Sequence, residues 1–425
     1  MNTLPGQPFF HYQNNELFIE DIPVATLAQQ YGTPLYIYSR NALRQFVSAY
    51  QQALQGQPHQ ICYAIKANST LAILQTFAQM GCGFDIVSGG ELQRVLAAGA
   101  KASTILFSGV GKTRDEIRMA LRAGIKCFNI ESLSEIDTIS QIAQETGLTA
   151  PVSLRVNPDV DAQTHPYIST GLKNNKFGIA YDQAFSAYQY AAKQPGLRII
   201  GIDCHIGSQI TQAQPFLDAL DRLIALAQQI IASGISLHHL DLGGGLGITY
   251  QSETPPPHHA LYHAVVEQLR AHNLGHLELL VEPGRSLVGN AGALITQVIH
   301  LKTGETKNFC IVDAAMNDLA RPAMYEAYHA ITEVMRPAGK STPFICDVVG
   351  PICESSDWLG RDRQLHVRQH DYLAILSAGA YSMTMASNYN TRARAAEVLV
   401  DGENAYLIRE RESIASLYAN EHLIT

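Results

Sequence analysis

The chain has 425 residues, of which 46% are hydrophobic and 16% charged, and its formal net charge at pH 7 is −8. This length predicts two domains, and the acidic balance without a dense basic run argues against a nucleic-acid partner. No stretch approaches 18 consecutive apolar residues and no basic segment leads into an apolar one at the amino terminus, so we expect a cytoplasmic protein with a small-molecule partner and no membrane partner.

The predicted elements begin with short strand-like segments, which give way to a regular alternation of strands and helices. ELFIED (16–21) and the run to Pro34 are predicted as strand-like, and PLYIYS (34–39) leads into an amphipathic helix. From about residue 60, short apolar runs alternate with amphipathic helices, many of which end at a glycine. The predicted strands are YAIKA (63–67), GFDIVS (83–88), TILFSG (104–109), KCFNIES (126–132), VSLRVNP (152–158), GIDCHIGS (201–208), HLDLGGG (239–245) and LELLVEPG (277–284).

This alternation indicates an α/β fold. Eight strand-helix units over roughly 225 residues are typical of a TIM (β/α)8 barrel. An open, doubly wound sheet is the alternative, but it normally carries GxGxxG after its first strand, and this sequence has none there.

The pattern changes after about Gly292, where strands and turns dominate. ALITQVIHLKTGETKNFCIVDAAM (293–316) predicts two strands around a Thr-Gly turn, and further strands are predicted in PFICDVVG (343–350), QHDYLAILSAG (369–379) and AEVLVDGENAYLIRER (396–411). We therefore expect a barrel over residues 36–285 and a second, mostly β domain formed by 286–425 with the amino-terminal segment 1–35 packed on it.

Polar residues end the predicted barrel strands, where barrel enzymes collect their catalytic groups. They are Lys66, Asp85, Arg155, His205, the triple glycine 243–245, Glu282 and Arg285. Each residue alone is equally typical of a satisfied polar group, and Lys66 alone of a surface lysine. Together they predict an active site, because buried charges are costly unless they are paired or used.

Two turns at the last strand ends suit a phosphate group. Gly243–Gly245 and Pro283–Arg285 offer backbone N–H groups, although a triple glycine by itself is also typical of a tight turn. A lysine that is short of water can lose its proton and attack a carbonyl. A phosphate site together with such a lysine points to pyridoxal phosphate held as a Schiff base on Lys66.

The seven cysteines are odd in number and lack CxxC spacing. We therefore expect reduced thiols, no disulfide framework and no metal site. Cys353 lies in the run GPICESSD, whose polar residues argue against an inert core position.

Longer motifs carry a resemblance to a known family. They are YAIKAN (63–68), FDIVSGGE (84–91), KFGI (176–179), HIGSQ (205–209), DLGGGLGI (241–248), EPGRSLVGNAG (282–292), DAAMNDLARPAMYEAYH (313–329), GPICESSDWLG (350–360) and GAYSMTMASNYN (379–390). In this order the sequence resembles the fold-type III, alanine-racemase-like decarboxylases that depend on pyridoxal phosphate, and among them those that act on diaminopimelate. The resemblance implies a carboxy-lyase that converts meso-diaminopimelate to L-lysine and CO2, the last step of lysine biosynthesis.

The resemblance also implies roles for individual residues at the cofactor. Lys66 would bind pyridoxal phosphate covalently, Glu282 would face its pyridine nitrogen, and His205 would stack on its ring. The other implied cofactor residues are Asp85, Arg155, Ser208, Gly244, Gly245, Pro283, Gly284, Arg285 and Tyr381.

Substrate recognition is implied for Arg285, Arg321, Tyr325, Glu354 and Tyr381. Arg321 is the discriminating residue, because a guanidinium binds the distal carboxylate that only a substrate with two amino-acid ends possesses. The alternative for Arg321 is an exposed arginine at a strand end. Cys353 would return a proton to the substrate carbon, and with Glu354 it would act in the partner's site, which implies a homodimer with shared active sites.

Three alternatives remain open. A racemase of the same barrel type is expected to carry a tyrosine in place of Cys353. A decarboxylase acting on D-ornithine, D-lysine or carboxynorspermidine is expected to differ around Arg321 and Glu354. A non-catalytic relative that binds pyridoxal phosphate is expected to lack Lys66 or Cys353, and this sequence has both.

Overall fold

The computed structural model describes residues 4–161, 175–339 and 342–424. The chain forms two compact units. The first, here the barrel unit, comprises Gln45–Ile248 and Thr254–Ser286, and the second, here the β unit, comprises Met1–Arg44, Thr249–Glu253 and Leu287–Thr425. Among the described residues, no helix combines the length and apolar character needed to span a lipid bilayer.

The amino-terminal segment contributes a small sheet, a helix and one strand of the large sheet. Its elements are β1 (Phe10–Gln13), β2 (Glu16–Ile19), β3 (Ile22–Pro23), α1 (Val24–Tyr31), β4 (Leu35–Ser39) and α2 (Arg40–Ala53). The strand predictions for ELFIED and PLYIYS are confirmed, but the prediction for the run to Pro34 is wrong. Its residues form α1 because Val24, Leu27 and Ala28 recur at helical spacing and bury one face.

The barrel unit is built from parallel strands that alternate with helices. The strands are β5 (His59–Ala64), β6 (Gly83–Ile86), β7 (Ile105–Phe107), β8 (Cys127–Ile130), β9 (Ala150–Asn157), β10 (Ile179–Ala180), β11 (Leu197–Asp203), β12 (His239–Asp241) and β13 (Glu278–Val281). The helices are α3 (Leu71–Gln79), α4 (Gly89–Ala97), α5 (Arg114–Ala123), α6 (Leu133–Thr146), α7 (Tyr181–Ala191), α8 (Gln214–Ala232) and α9 (His258–Ala271).

These strands close into a ring. Within the described residues, pairing runs through β5, β6, β7, β8, β9, β11, β12 and β13, and β13 pairs back to β5 with Leu280 opposite Gln60. The short strand β10 lies beside β9 outside this ring. The eight-stranded TIM barrel is therefore confirmed, and the open doubly wound sheet is excluded.

Local sequence explains why the barrel elements form where they do. All four residues of β6 and of β8 are buried, as expected for parallel strands covered on both faces. The N-cap of helix α5 is Thr113, which forms a capping box with Glu116, and its C-cap is Gly124 in the left-handed conformation. This capped start follows the loop that leaves the carboxyl end of β7.

The β unit continues after the barrel with mostly strands. Its elements are α10 (Arg285–Val288, which begins in the barrel unit), β14 (Gly292–Lys302), β15 (Phe309–Val312), α11 (Arg321–Tyr325), β16 (Ile331–Glu333), β17 (Phe344–Val349), β18 (Trp358–Leu365), β19 (Tyr372–Ile375), β20 (Ala396–Asp401), β21 (Asn404–Arg409) and α12 (Ile414–Leu417). The main sheet has the order β18-β17-β15-β14-β4-β20-β21, and β19 pairs with both β14 and β16. The predicted hairpin around the Thr-Gly turn forms, with Lys302 opposite Phe309. The mostly β second domain is confirmed.

Candidate active site

Lys66 lies immediately after β5, in a single turn of 3-10 helix over Ile65–Ala67. Its two neighbours are buried, whereas 43% of the Lys66 side chain is exposed. The Nζ atom lies 3.5 Å from Oδ2 of Asp85, a buried carboxylate on the adjacent strand β6. The structure thus brings the predicted lysine and the predicted aspartate together at the carboxyl end of the barrel.

Three more buried carboxylates stand at or just after the ends of β11, β12 and β13. Oxygens of Asp203, Asp241 and Glu282 lie within 4.8 Å of one another. Burial, reinforced by neighbouring carboxylates, raises the pKa of Asp203 and of Glu282 well above the ordinary value and that of Asp241 to about 7. Glu282 was predicted, but Asp203 and Asp241 were missed. Their position at the ends of predicted strands is the signal that marks them.

The carboxylate oxygens of this cluster test whether the site fits pyridoxal phosphate. Among the described residues, neither oxygen of Asp85 has a hydrogen-bond partner, and the same holds for Oδ1 of Asp203 and Oδ2 of Asp241. Buried carboxylates without donors are unfavourable, so the cluster suits a ligand with a protonated nitrogen. The protonated pyridine ring is such a group, and the residues present therefore fit this cofactor.

His205 follows β11 and is half-buried. The backbone N–H of Gly244 donates to its Nδ1 at 3.1 Å, so the neutral ring carries its proton on Nε2. Burial, followed by the cations of Arg155 and Lys66, lowers the pKa of His205 well below its usual value. The imidazole is therefore uncharged at neutral pH.

The triple glycine after β12 allows two loops to approach closely. A Cβ on Gly244 would lie 2.1 Å from the carbonyl oxygen of Glu282, and a Cβ on Gly245 would lie 2.4 Å from that of Gly207. Gly245 also has φ +112°, which favours glycine. Backbone packing thus requires these glycines independently of any phosphate.

The two turns predicted to bind phosphate are linked to their surroundings by hydrogen bonds. Arg285 donates from an Nη atom to Oγ of Ser208 at 3.1 Å. The carbonyl oxygen of Pro283, which precedes Gly284, accepts from the N–H of Ala64 at 3.1 Å. The structure therefore holds the Pro283–Arg285 turn against the strand that leads to Lys66.

Glu131 is a residue that the sequence analysis missed. Its Oε1 accepts from Arg155 at 3.0 Å and from the N–H of Gly109 at 2.9 Å, and its Oε2 accepts from the N–H of Gly178 at 2.8 Å. The Arg155 guanidinium also lies over the ring of Phe177, 4.9 Å from its centroid. Glu131 thus fixes Arg155 and joins three loops, and its place at the end of the predicted strand KCFNIES is the signal that could have found it.

Arg321 and Tyr325 lie in the β unit, at the two ends of α11. Arg321 is only 7% exposed, so its interpretation as an exposed arginine is wrong. Its guanidinium contacts His329 and Tyr250, neither of which was predicted. Tyr325 is half-buried. His329 is the last residue of the motif DAAMNDLARPAMYEAYH (313–329), which also contains Arg321. This shared motif is the signal that could have identified His329.

Cys353 and Glu354 lie in the loop between β17 and β18 of the β unit. All seven cysteines fall within the described residues and are free thiols; Cys353 is exposed, whereas the other six are buried. The N–H of Cys353 donates to Oδ1 of Asn390 at 3.1 Å, and the Tyr389 hydroxyl donates to Oε1 of Glu354 at 2.5 Å. The exposure of Cys353 therefore agrees with the expectation, drawn from its polar neighbours, that it is not an inert core thiol.

Tyr381, the remaining predicted residue, is half-buried and has φ +55°. A bulky residue rarely adopts this left-handed conformation, and such residues concentrate at ligand sites.

Comparison with known proteins identifies the family. Residues 40–289 match the family model described as pyridoxal-dependent decarboxylase, pyridoxal binding domain. The chain is 54% identical over 416 residues to the diaminopimelate decarboxylase of Haemophilus influenzae, covering 98% of this chain and 100% of that one. It is 56% identical over 405 residues to the diaminopimelate decarboxylase of Neisseria meningitidis serogroup A, covering 95% and 98%.

Solved structures agree with these relatives. Diaminopimelate decarboxylase from Helicobacter pylori, complexed with L-lysine, superposes with a TM-score of 0.89 at 42% identity and covers 93% of this chain and 98% of that one. The enzyme from M. jannaschii, in complex with L-lysine, gives a TM-score of 0.94 at 38% identity, with 99% of each chain covered. The chain therefore belongs to the diaminopimelate decarboxylase family of pyridoxal-phosphate-dependent decarboxylases.

Proposed function

We propose that this protein decarboxylates meso-diaminopimelate at its D-centre and releases L-lysine and CO2, the last step of lysine biosynthesis. Relatives named for this activity align over nearly the whole chain, and two similar structures contain L-lysine. The observation that carries the proposal is the burial of Arg321, whose orientation is restrained by His329 and Tyr250. A buried guanidinium suits a carboxylate partner.

The barrel unit supplies the cofactor residues. When bound, pyridoxal phosphate provides an electron sink that accepts the electron pair left as CO2 departs. Lys66 would provide the amine that holds the cofactor, and its Nζ lies 3.5 Å from the carboxylate of Asp85. Glu282 would face the cofactor's ring nitrogen, where its ionised carboxylate would stabilise the protonated ring by charge attraction. In the cofactor-free protein, burial and then Asp241 raise the pKa of Glu282.

The uncharged His205 would lie against the cofactor ring without adding a positive charge. Its orientation is set by the N–H of Gly244, and Arg155 beside it is held by Glu131. The phosphate would be held by the hydroxyl of Ser208 and by backbone N–H groups of the two turns. The proposed phosphate residues of the barrel unit are Ser208, Gly244, Gly245, Gly284 and Arg285.

Recognition of the distal end of the substrate falls to residues of the β unit. Arg321 binds the distal carboxylate through two N–H groups, and Tyr325 and Tyr381 line the same subsite. Substrates such as D-ornithine and D-lysine lack a distal carboxylate and would not make this charge-assisted contact with Arg321. This is the physical reason for preferring diaminopimelate.

We propose that the protein works as a homodimer in which Cys353 and Glu354 serve the site built around Lys66 of the partner chain. The Cys353 thiol returns a proton to the substrate carbon after CO2 has left, and Glu354 holds the distal amine. The exposure of Cys353 supports this role, because an exposed thiol is available to a second subunit. We also place the protein in the cytoplasm, where free thiols such as its seven cysteines stay reduced.

The decisive assay measures CO2 release by the purified protein with pyridoxal phosphate. Turnover of meso-diaminopimelate is expected to exceed that of D-lysine and D-ornithine at equal concentration. A higher kcat/KM with either of those amino acids would overturn the proposal and favour a related decarboxylase.

A further inference from the structure

His329 and Tyr250 enclose the guanidinium of Arg321 within the β unit. Nη1 of Arg321 lies 2.8 Å from Nε2 of His329, and the guanidinium carbon lies 4.8 Å from the centroid of the Tyr250 ring. The Tyr250 and His329 rings meet edge to face, 5.3 Å apart and inclined by 80°. All three side chains are buried. They form one packed group, here called the Arg321 clamp.

The hydrogen bonds of His329 define its protonation. Its Nδ1 lies 2.9 Å from the carbonyl oxygen of Leu376, which can only accept. Arg321 can only donate, so Nε2 must be the acceptor. The tautomer that satisfies both partners is the neutral imidazole with its proton on Nδ1. A second proton on Nε2 would point a donor at a cation.

The backbone anchors this histidine. Leu376 directly follows β19, and its N–H donates to the carbonyl oxygen of Ala330, the residue after His329, at 2.8 Å. The backbone next to His329 is thus hydrogen-bonded to Leu376, the same residue whose carbonyl oxygen contacts the His329 ring. A ring fixed in this way presents Nε2 in one direction.

The clamp limits how the guanidinium can rotate. His329 engages one N–H of Nη1, while the face of Tyr250 favours one orientation of the planar group through a cation–π contact. A bidentate carboxylate contact needs two parallel N–H groups in a set plane, which a freely rotating arginine offers only part of the time. Because the guanidinium of Arg321 is already restrained before the substrate binds, its contact with the carboxylate costs less entropy.

We infer that His329 and Tyr250 are positioning residues that orient Arg321 for bidentate recognition of the substrate's distal carboxylate. This inference rests on the proposed function. It assigns specificity to a buried histidine and a tyrosine that do not themselves bind the carboxylate.

The test compares His329→Leu with wild-type holoenzyme. KM for meso-diaminopimelate is expected to rise by roughly tenfold while kcat changes less than twofold, because an interaction equally present in ground and transition states is weakened. The inhibition constant of L-lysine, which retains the distal carboxylate, is expected to rise by the same factor. That of cadaverine, a diamine without a carboxylate, is expected to stay constant.

A double-mutant cycle separates positioning from a general structural effect. Arg321→Ala and the double variant with His329→Leu are expected to share the same KM, because His329 acts only through Arg321. His329→Gln retains an acceptor and is expected to restore most of the lost affinity. His300→Leu changes an exposed histidine of the same unit and serves as the control with wild-type KM.

The tyrosine provides an independent comparison if the leucine variant of His329 does not fold. Tyr250→Leu removes the aromatic face, whereas Tyr250→Phe retains it. The leucine variant is therefore expected to raise KM more than the phenylalanine variant. Circular dichroism and cofactor absorbance verify the fold of each variant.

Two results would overturn the inference: multiplicative effects of Arg321→Ala and His329→Leu on KM, or equal weakening of cadaverine and L-lysine inhibition. Absence of CO2 release from meso-diaminopimelate by the wild-type enzyme is a different result, and it would refute the proposed function itself.

Discussion

Asp203 and Asp241 are register partners on the adjacent parallel strands β11 and β12, and their carboxylate oxygens lie within 4.8 Å of each other. Both are buried, and one oxygen of each lacks a hydrogen-bond partner among the described residues. Two like charges in this position are unfavourable, so the pair retains protons that an isolated carboxylate would lose near pH 4. A cationic cofactor nitrogen at the proposed position near Glu282 would offset this repulsion.

The first prediction concerns the pH dependence of stability in the cofactor-free protein. The pKa of Asp241 rises from 3.8 to about 7 on folding, so its contribution to stability is complete below pH 4 and is lost as pH rises through about 7. Asp241→Asn keeps an acceptor for the N–H of Gly243 and removes the titration. We therefore compare the free energy of unfolding of the wild type with that of this variant. The difference, wild type minus variant, is expected to fall by on the order of 4 kcal/mol between pH 4 and pH 8.

Urea denaturation at four pH values in this range provides the measurement. A constant difference between the two proteins would show that Asp241 does not carry the raised pKa.

The second prediction is that Lys66 holds the cofactor. Lys66→Ala is expected to lose the visible absorbance of bound pyridoxal phosphate after dialysis, because the amine that binds it is gone. Lys126→Ala is the matched control, since Lys126 precedes β8 at the opposite end of the barrel strands and pairs with Glu278. Borohydride reduction followed by peptide mass analysis locates the modified lysine. Labelling of any lysine other than Lys66 would contradict the assignment.

The third prediction concerns Glu131 and the stability of the barrel unit. Glu131→Ala leaves the buried Arg155 without its carboxylate and two N–H groups without an acceptor, so it is expected to cost about 3–5 kcal/mol in the free energy of unfolding. Glu145 pairs with two arginines at the surface, and Glu145→Ala is expected to cost about 1 kcal/mol or less. Chemical denaturation of both variants gives the comparison. Equal losses would mean that the Glu131 network adds no more than a surface ion pair.

The fourth prediction tests the shared active site of the proposed homodimer. Lys66→Ala and Cys353→Ala are each expected to be inactive, yet a heterodimer of the two contains one site with both residues intact. Subunit exchange is expected to restore up to about a quarter of wild-type activity, given two-fold symmetry. Native mass spectrometry follows the exchange. Complete exchange without any recovery of CO2 release would place both residues in the site of their own chain.

Much of the fold follows from local patterns. The eight barrel strands, the helices ended by glycine and the hairpin around Thr303–Gly304 could be predicted because apolar periodicity and turn residues act over short stretches. The eight-residue helix α1 was missed because so short an apolar run fits either a strand or a helix. Its helical state is selected by burial against the rest of the β unit.

The candidate site divides in the same way. Lys66, Asp85 and Glu282 could be found because each is a charged residue at or just after the end of an apolar run. Glu131 could not be paired with Arg155, 24 positions later, because that contact depends on β8 and β9 lying side by side.

The sequence by itself determined the strand-helix order, the polar residues at the strand ends and the family, since these depend on the identity and spacing of neighbouring residues. Only the tertiary structure decided which charges meet. Pairing of β11 with β12 places Asp203 opposite Asp241, and folding of the β unit brings Tyr250 and His329 to Arg321. Burial then raises the pKa of Asp203 and Asp241, because a low-dielectric surrounding acts on a charge only after distant segments have packed around it.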